Sequence, residues 1–442
     1  MLDTARKIGR KLTSAGADDS IVTISEELKT QLKFSNSKIS ATQTWKSLHI
    51  GLFAAIGKRL VSTSIEDYSD KAVDTALKKI MAFASATQQN SEYMGIAEGP
   101  FRHKQIERTY DEAIENLGEK GVDLVDAGII AGLSRGAKKV AGVLETTTSK
   151  TWLHTSNNVD GEEKGTTIHF SCRAFSDKDA SGHYVSTARM LSDLKIEQAA
   201  ENAAAVAKKA VGPERISEGK YDVLFEPLAA ANIIEQVAHA ASVFNVEAGL
   251  SCLNGKIGKM VGSENVTVID DATLPGTAGA AKFDAEGVPT QRNTIIENGI
   301  MKTYLHNTST AKRYKTSTTA NAGIIAPEPF NIIFKTGSFI KDELFERIKR
   351  GLWITNVWYT RFMNYESGDF STIPRDGAFL IENGRIVKPV KDIRISENLL
   401  NMLRNVSAVG AEAEQITGWE VETPIFMPPM IVKNVNITKS VE

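Results

Sequence analysis

Cysteine is nearly missing from this chain: two residues in 442, Cys172 and Cys252, make neither a disulfide framework nor a zinc knuckle. Both are expected to be reduced interior residues of a cytoplasmic protein. Long apolar runs are missing as well. Nothing reaches the roughly 18 residues that a bilayer span requires, so no membrane association is expected. The first residues, Met1 to Leu12, open an amphipathic helix and lack the apolar centre of a signal peptide. An excess of one charge is also absent, since 52 basic and 54 acidic residues leave a formal net charge of −2. A nucleic-acid grip needs a clustered basic excess, and none is present. Asn-x-Ser/Thr sequences at Asn265, Asn307, Asn405 and Asn436 are chance matches in that compartment.

What is there is the composition of a globular protein, 42% apolar and 24% charged, long enough for two or three cores. Apolar spacing predicts a helix over 2–16, stopped at Gly16. Alternation then predicts strands at Ser20–Ser25, Leu28–Phe34, Lys38–Trp45, Ser47–Ile56 and Arg59–Ile65. Helices are expected at Asp67–Ser85, Tyr110–Asn116 and Gly121–Leu133, with an irregular connection over 86–107. Strands return at Lys139–Glu145, Thr151–Thr155, Gly165–Ala174 and His183–Met190, with a hairpin turn at Asp160-Gly161. An alanine-rich helix follows at Glu197–Val211. Residues 212–219, Gly-Pro-Glu-Arg-Ile-Ser-Glu-Gly, read as a linker. The expectation is an α+β protein of two domains: residues 1–211, a mixed helix and antiparallel-sheet domain, and residues 220–442, a β-rich domain. In the second, Asn298-Gly299 and Asn383-Gly384 are type I′ hairpin signals. Helices are expected at 341–351 and 396–405, and a strand-like end at Pro424–Thr438.

Tyr221–Phe225 reads as a buried strand, and Pro227 opens the helix after it. Glu235 and His239 lie four residues apart on that helix and share a face. Such a pair is either an ordinary helical contact or the remnant of a helix-borne metal site, which would need a second imidazole, a further ligand and a carboxylate to take a proton from bound water. Where the other histidine would stand is Ile234, which cannot bind a metal. The remaining histidines have no ligand spacing among themselves. Gly249–Gly262 is glycine-rich, but neither of its Gly-Lys pairs precedes Ser or Thr, so it is not a phosphate loop. Asp270-Asp271 could serve acid–base chemistry or simply start a turn. Trp353, Trp358, Tyr359, Phe362 and Tyr365 form the densest aromatic group, either core or the wall of a groove or interface.

The second half resembles the TldD/PmbA family of metallopeptidase-related proteins. The resemblance rests on the strand and helix at 221–239, Leu-Pro-Gly-Thr-Ala-Gly at 274–279 and Phe-Asp-Ala-Glu-Gly-Val-Pro-Thr-Gln-Arg at 283–292. It continues through Ile-Glu-Asn-Gly-Ile at 296–300, Tyr-Leu-His-Asn at 304–307 and Ser-Gly-Asp-Phe-Ser at 367–371. Leu-Ile-Glu-Asn-Gly-Arg-Ile-Val-Lys-Pro-Val at 380–390 and Asn-Leu-Leu-Asn-Met-Leu-Arg-Asn-Val at 398–406 complete it. In the family's active, TldD-type branch, an HExxxH motif and a cysteine near the C-terminus bind zinc. Here that motif reads Ile234-Glu235-Gln236-Val237-Ala238-His239, and the cysteine region reads Ile416-Thr417-Gly418-Trp419-Glu420. The resemblance therefore implies the PmbA (TldE) branch: a subunit with no metal of its own and no catalytic residues. It would pair with a zinc-holding TldD-type subunit around a chamber that admits unfolded peptides. The alternatives are a self-sufficient metal-dependent peptidase using Glu235 and His239, or a homodimeric peptide-binding protein without catalysis.

Overall fold

The computed structural model describes residues 1–439 of the chain; the last three residues of the expected second domain, 440–442, lie outside it. Its first half uses one unit twice. In the first copy, α1 (Leu2–Ser14) precedes β1 (Asp19–Ser35), β2 (Lys38–Ile56), β3 (Arg59–Ile65) and α2 (Asp70–Ala86). After the single turn of α3 (Glu112–Glu115), the second copy runs α4 (Lys120–Ser134), β4 (Lys139–Thr155), β5 (Val159–Asp177), β6 (Ala180–Ala188) and α5 (Ile196–Lys209). Both opening helices stop in the same way. Gly16 and Gly136 take φ of 104° and 108°, a region that costs glycine nothing. The next residues, Ala17 and Ala137, send their N–H groups back to the carbonyls of Leu12 and Gly132 at 3.1 and 3.2 Å. β1 and β4 join the copies into one antiparallel sheet of order β3-β2-β1-β4-β5-β6.

Mixed helix and antiparallel sheet is the architecture expected of this half, but its strands are longer than alternation suggested. The two strands expected within Ser20–Phe34 are one, as are the two within Lys38–Ile56. The polar middles, half-buried Glu26-Glu27 and exposed Lys46-Ser47, lie where the sheet has no fully buried face, and pairing continues through them. The segments expected at Lys139–Glu145 and Thr151–Thr155 likewise merge into β4. The hairpin turn falls at 156–158, with Asn158 left-handed at φ 62°, not at Asp160-Gly161. Those two residues pair with His154 and Leu153 inside β5. Gly161 serves close packing there, because a Cβ would come within 2.8 Å of the Phe283 ring.

The second half begins with β7 (Gly219–Phe225), α6 (Pro227–Ala240), α7 (Val243–Glu247), β8 (Val268–Asp271), β9 (Arg292–Glu297) and β10 (Ile300–Met301). It continues with α8 (Thr308–Tyr314), β11 (Ile332–Phe334), α9 (Lys341–Glu346), β12 (Arg350–Ile354), β13 (Val357–Asn364) and β14 (Asp369–Pro374). Then come β15 (Ala378–Glu382), β16 (Arg385–Pro389), β17 (Ile393–Asn398), α10 (Leu399–Arg404) and β18 (Val406–Val409). It closes with β19 (Glu414–Gly418), β20 (Val421–Met427) and β21 (Met430–Lys439). One sheet has the order β10-β9-β8-β11-β20-β19; a larger one runs β13-β14-β17-β21-β7-β12-β15-β16, with β18 also on β21. Both Asn-Gly turns form, Asn298 and Asn383 at φ 47° and 49° with their glycines at 79° and 75°. The helix expected at 341–351 ends at Glu346, because Arg350–Ile354 pairs as β12. The one expected from 396 starts at Leu399, where the Asn398 side chain accepts the N–H groups of Leu400 and Asn401.

Two packings position everything that follows. α6 lies between the two C-terminal sheets with most of its length buried. The alanine-rich α5 lies between the N-terminal sheet and the larger C-terminal one, within a core that includes Trp353 and Phe379. Gly182 in β6 permits that closeness, since a Cβ there would stand 2.1 Å from the carbonyl oxygen of Ala203.

Candidate functional site

β7 delivers the chain into the core, Pro227 occupies the first turn of α6, and the last two turns carry the three motif positions. Ile234 is fully buried and belongs to the apolar core between the sheets. Glu235 is buried too, and its Oε1 accepts the backbone N–H of Thr423 on β20 at 2.6 Å. His239 keeps 39% of its side chain exposed. Its Nε2 lies 3.2 Å from Thr423 Oγ1 and 3.8 Å from Glu235 Oε1. The helix pair is therefore closed by a threonine 188 residues further on, and not by a third metal-binding group. Among the described residues, no group of three or more His, Cys, Asp or Glu side chains is placed to hold a metal ion.

One turn earlier, Asn232 donates to the carbonyl of Glu420 at 2.8 Å and accepts the hydroxyl of Thr360. Glu420 Oε2 takes the N–H of Thr360 at 3.3 Å. The segment Gly418–Glu420, read in the sequence only for its lack of cysteine, is thus the tip of the β19–β20 hairpin, pinned onto α6 and β13. Sequence reasoning missed Asn232, Thr360 and Thr423. The only available signal was their polarity in otherwise apolar surroundings.

The other candidates scatter. Asp270 and Asp271 end β8. Asp270 accepts the N–H groups of Phe330 and Asn331 and the amide of Asn321, and burial pushes its carboxyl up to about 6. Asp271 accepts the N–H and hydroxyl of Thr273, the turn-starting role. Cys172 and Cys252 are free and buried, which raises their thiols to about 12 and 11. Of the aromatic group, Trp353 is core, its indole N–H given to Glu226 at 2.6 Å. Tyr359 and Tyr365 are exposed.

Trp358 does something else. It lines a cavity of about 200 Å³ between β4–β6 of the first half and α6, β13 and the β19–β20 tip of the second. His169 and His183, fourteen residues apart with no ligand spacing, both line it from neighbouring strands, four residues apart in register. Burial lowers both imidazoles to about 4, so both are neutral near pH 7.

Residues 218–439 match the PmbA/TldA metallopeptidase C-terminal domain, and residues 104–211 match the central domain of the same proteins. A metalloprotease of Methanocaldococcus jannaschii is 38% identical over 212 residues, 46% of this chain and 46% of that protein. A metalloprotease PmbA homolog of Haemophilus influenzae is 32% identical over 217 residues, 48% of this chain and 46% of its own. The chain spans about half the length of these curated relatives. The crystal structure of TldE from Thermococcus kodakarensis shares the fold, with a TM-score of 0.87 at 20% identity over 98% of this chain and 100% of that one. No helix among the described residues is long and apolar enough to cross a membrane. By the two domain matches, which together run from 104 to 439, the chain belongs to the TldD/PmbA family.

Proposed function

We propose that this chain is the non-metal-binding, TldE/PmbA-like subunit of a cytoplasmic TldD/TldE-type zinc peptidase acting on unfolded peptides. The zinc would be held by a TldD-type partner in a heterodimer. The observation that carries the reading is the donor set at the motif. A tight zinc site needs three or four N, S or O donors converging on one point. Here the first position is the aliphatic, fully buried Ile234, and the retained carboxylate is committed to the Thr423 backbone. One imidazole alone cannot hold zinc tightly. The residues do not fit the metal, so no catalytic step is assigned to them. In this reading, Glu235 and His239 fasten α6 to β20 and keep the wall of a peptide chamber in place.

Zinc content tests this. Purified alone without chelators, the chain is expected to carry almost none; co-purified with a TldD-type subunit, about one zinc per pair is expected. About one zinc per chain in the isolated protein overturns the reading.

A further inference from the structure

The cavity beneath Trp358 has its own chemistry. Its charged residues are already paired. Arg173 gives Nε–H and Nη2–H to the two oxygens of Asp376 at 2.8 and 2.7 Å. Glu420 takes the N–H of Thr360 and lies 3.8 Å from Arg361. With Arg173 paired to Asp376 and both imidazoles held toward the neutral form by burial, the lining favours an uncharged occupant.

The walls favour a ring. The Arg173 guanidinium lies 4.3 Å over Trp358, and Trp419 meets Trp358 edge-on at 5.0 Å. Trp419 stands at the mouth with 69% of its surface exposed. Leu228, Val357 and Val421 supply apolar contact deeper in. About 200 Å³ admits one substituted six-membered ring and not a drug-sized molecule.

The floor supplies a donor. The Asn356 amide donates to His183 Nδ1 at 3.0 Å and to Asp376 at 3.1 Å. His183 must therefore carry its proton on Nε2, which faces Ser171 Oγ at 2.9 Å. Ser171 accepts that bond and keeps its own hydroxyl hydrogen to give.

We propose that this cavity is a binding site for an uncharged phenol-type ring, stacked among Trp358 and Trp419, whose oxygen accepts a hydrogen bond from Ser171. The ring could belong to a tyrosine side chain of an extended peptide or to a free phenolic molecule. Neither Glu235 nor His239 lines the cavity, and Asn232 lies two helical turns before His239. Failure here therefore leaves the metal-site reading standing.

Calorimetric titration of the full chain with N-acetyl-tyrosinamide, N-acetyl-phenylalaninamide and N-acetyl-leucinamide tests it. The tyrosine derivative should bind with a dissociation constant between about 10 μM and 1 mM, as a ligand of this size allows. It should bind about fivefold tighter than the phenylalanine derivative, the worth of one hydrogen bond. Ser171→Ala should erase that preference while still binding both. Trp419→Ala, at an exposed position that leaves folding intact, should weaken both alike. A capped alanine pentapeptide with a central tyrosine binding much tighter than p-cresol would identify a peptide as the source; equal binding would identify a free phenol. No saturable binding, equal binding of the leucine derivative, or an unchanged tyrosine preference in Ser171→Ala overturns the proposal.

Discussion

Where the two halves of the chain meet, two carboxylates are buried and satisfied in opposite ways. Asp376, just before β15, is fully buried against the fork of Arg173 on β5, the Ser181 hydroxyl and the Asn356 amide. Burial alone would raise its pKa, but the hydrogen bonds and charge of Arg173 outweigh it and hold the carboxyl below its ordinary range. Glu286 is equally enclosed, yet its partners are the N–H of Ala97 at 3.2 Å, the backbone and hydroxyl of Thr308, and the neighbouring carboxyl of Asp284. Burial, then Asp284, push it up to about 8, and Asp284 itself rises to about 6. The difference shows what a buried acid needs in order to stay charged. Hydrogen bonds from neutral groups do not offset the lost hydration of Glu286 beside a second carboxyl, whereas a guanidinium set bidentate on both oxygens does for Asp376.

The largest expected effect follows from removing the charged end. Asp376→Ala strands Arg173 and leaves Ser181 and Asn356 without their acceptor. Losing one partner of a buried pair costs about 3–5 kcal/mol, read as a lower urea midpoint at unchanged slope. A loss below about 1 kcal/mol would mean that water reaches Arg173 well enough to replace the carboxylate, and the contrast with Glu286 would collapse.

Next comes pH. The folded-state pKa of Glu286, about 8, stands above the ordinary glutamate value of 4.5. Between those values the folded chain binds one more proton than the unfolded chain. The contribution is therefore fully present below about 4.5 and is lost as pH rises through about 8. Glu286→Gln, a neutral isostere of the protonated acid, should flatten this dependence. It should stabilise the protein by about 2 kcal/mol at the alkaline end. Asp376 runs the other way, its contribution present above the ordinary carboxylate range and lost as pH falls through its lowered value. A Glu286→Gln melting curve parallel to wild type across the whole range would place water beside Glu286.

Neither arrangement could be read from the sequence, and the reason is distance along the chain. Arg173 and Asp376 are 203 residues apart, Ala97 and Glu286 are 189 apart, and no local period connects them. What was legible is what local chemistry decides. The glycine stop after α1 and the two Asn-Gly turns form. So does the strand–proline–helix unit that carries Glu235 and His239. The long strands were not legible, because alternation marks a strand only where one face is buried, and the middle of β1 is only half-buried and that of β2 exposed. The doubled unit of the first half escaped for a related reason. Its two copies share backbone geometry and a glycine stop but few side chains.

The smallest effect separates charge from geometry within the Arg173–Asp376 contact. Arg173→Lys keeps the cation but supplies a point charge in place of two parallel N–H groups at 2.8 and 2.7 Å. It also gives up the flat contact with Trp358 at 4.3 Å. About 30% of the Arg173 side chain is exposed, so water partly compensates, and a loss of about 1 kcal/mol is expected in chemical unfolding. That is well short of the loss from Asp376→Ala, because the carboxylate would still face a positive charge. If Arg173→Lys instead costs as much as removing Asp376, the fork and not the charge is what keeps this acid ionised. A lysine placed against Glu286 would then fail to lower its pKa, and the two acids would differ by the shape of their partner alone.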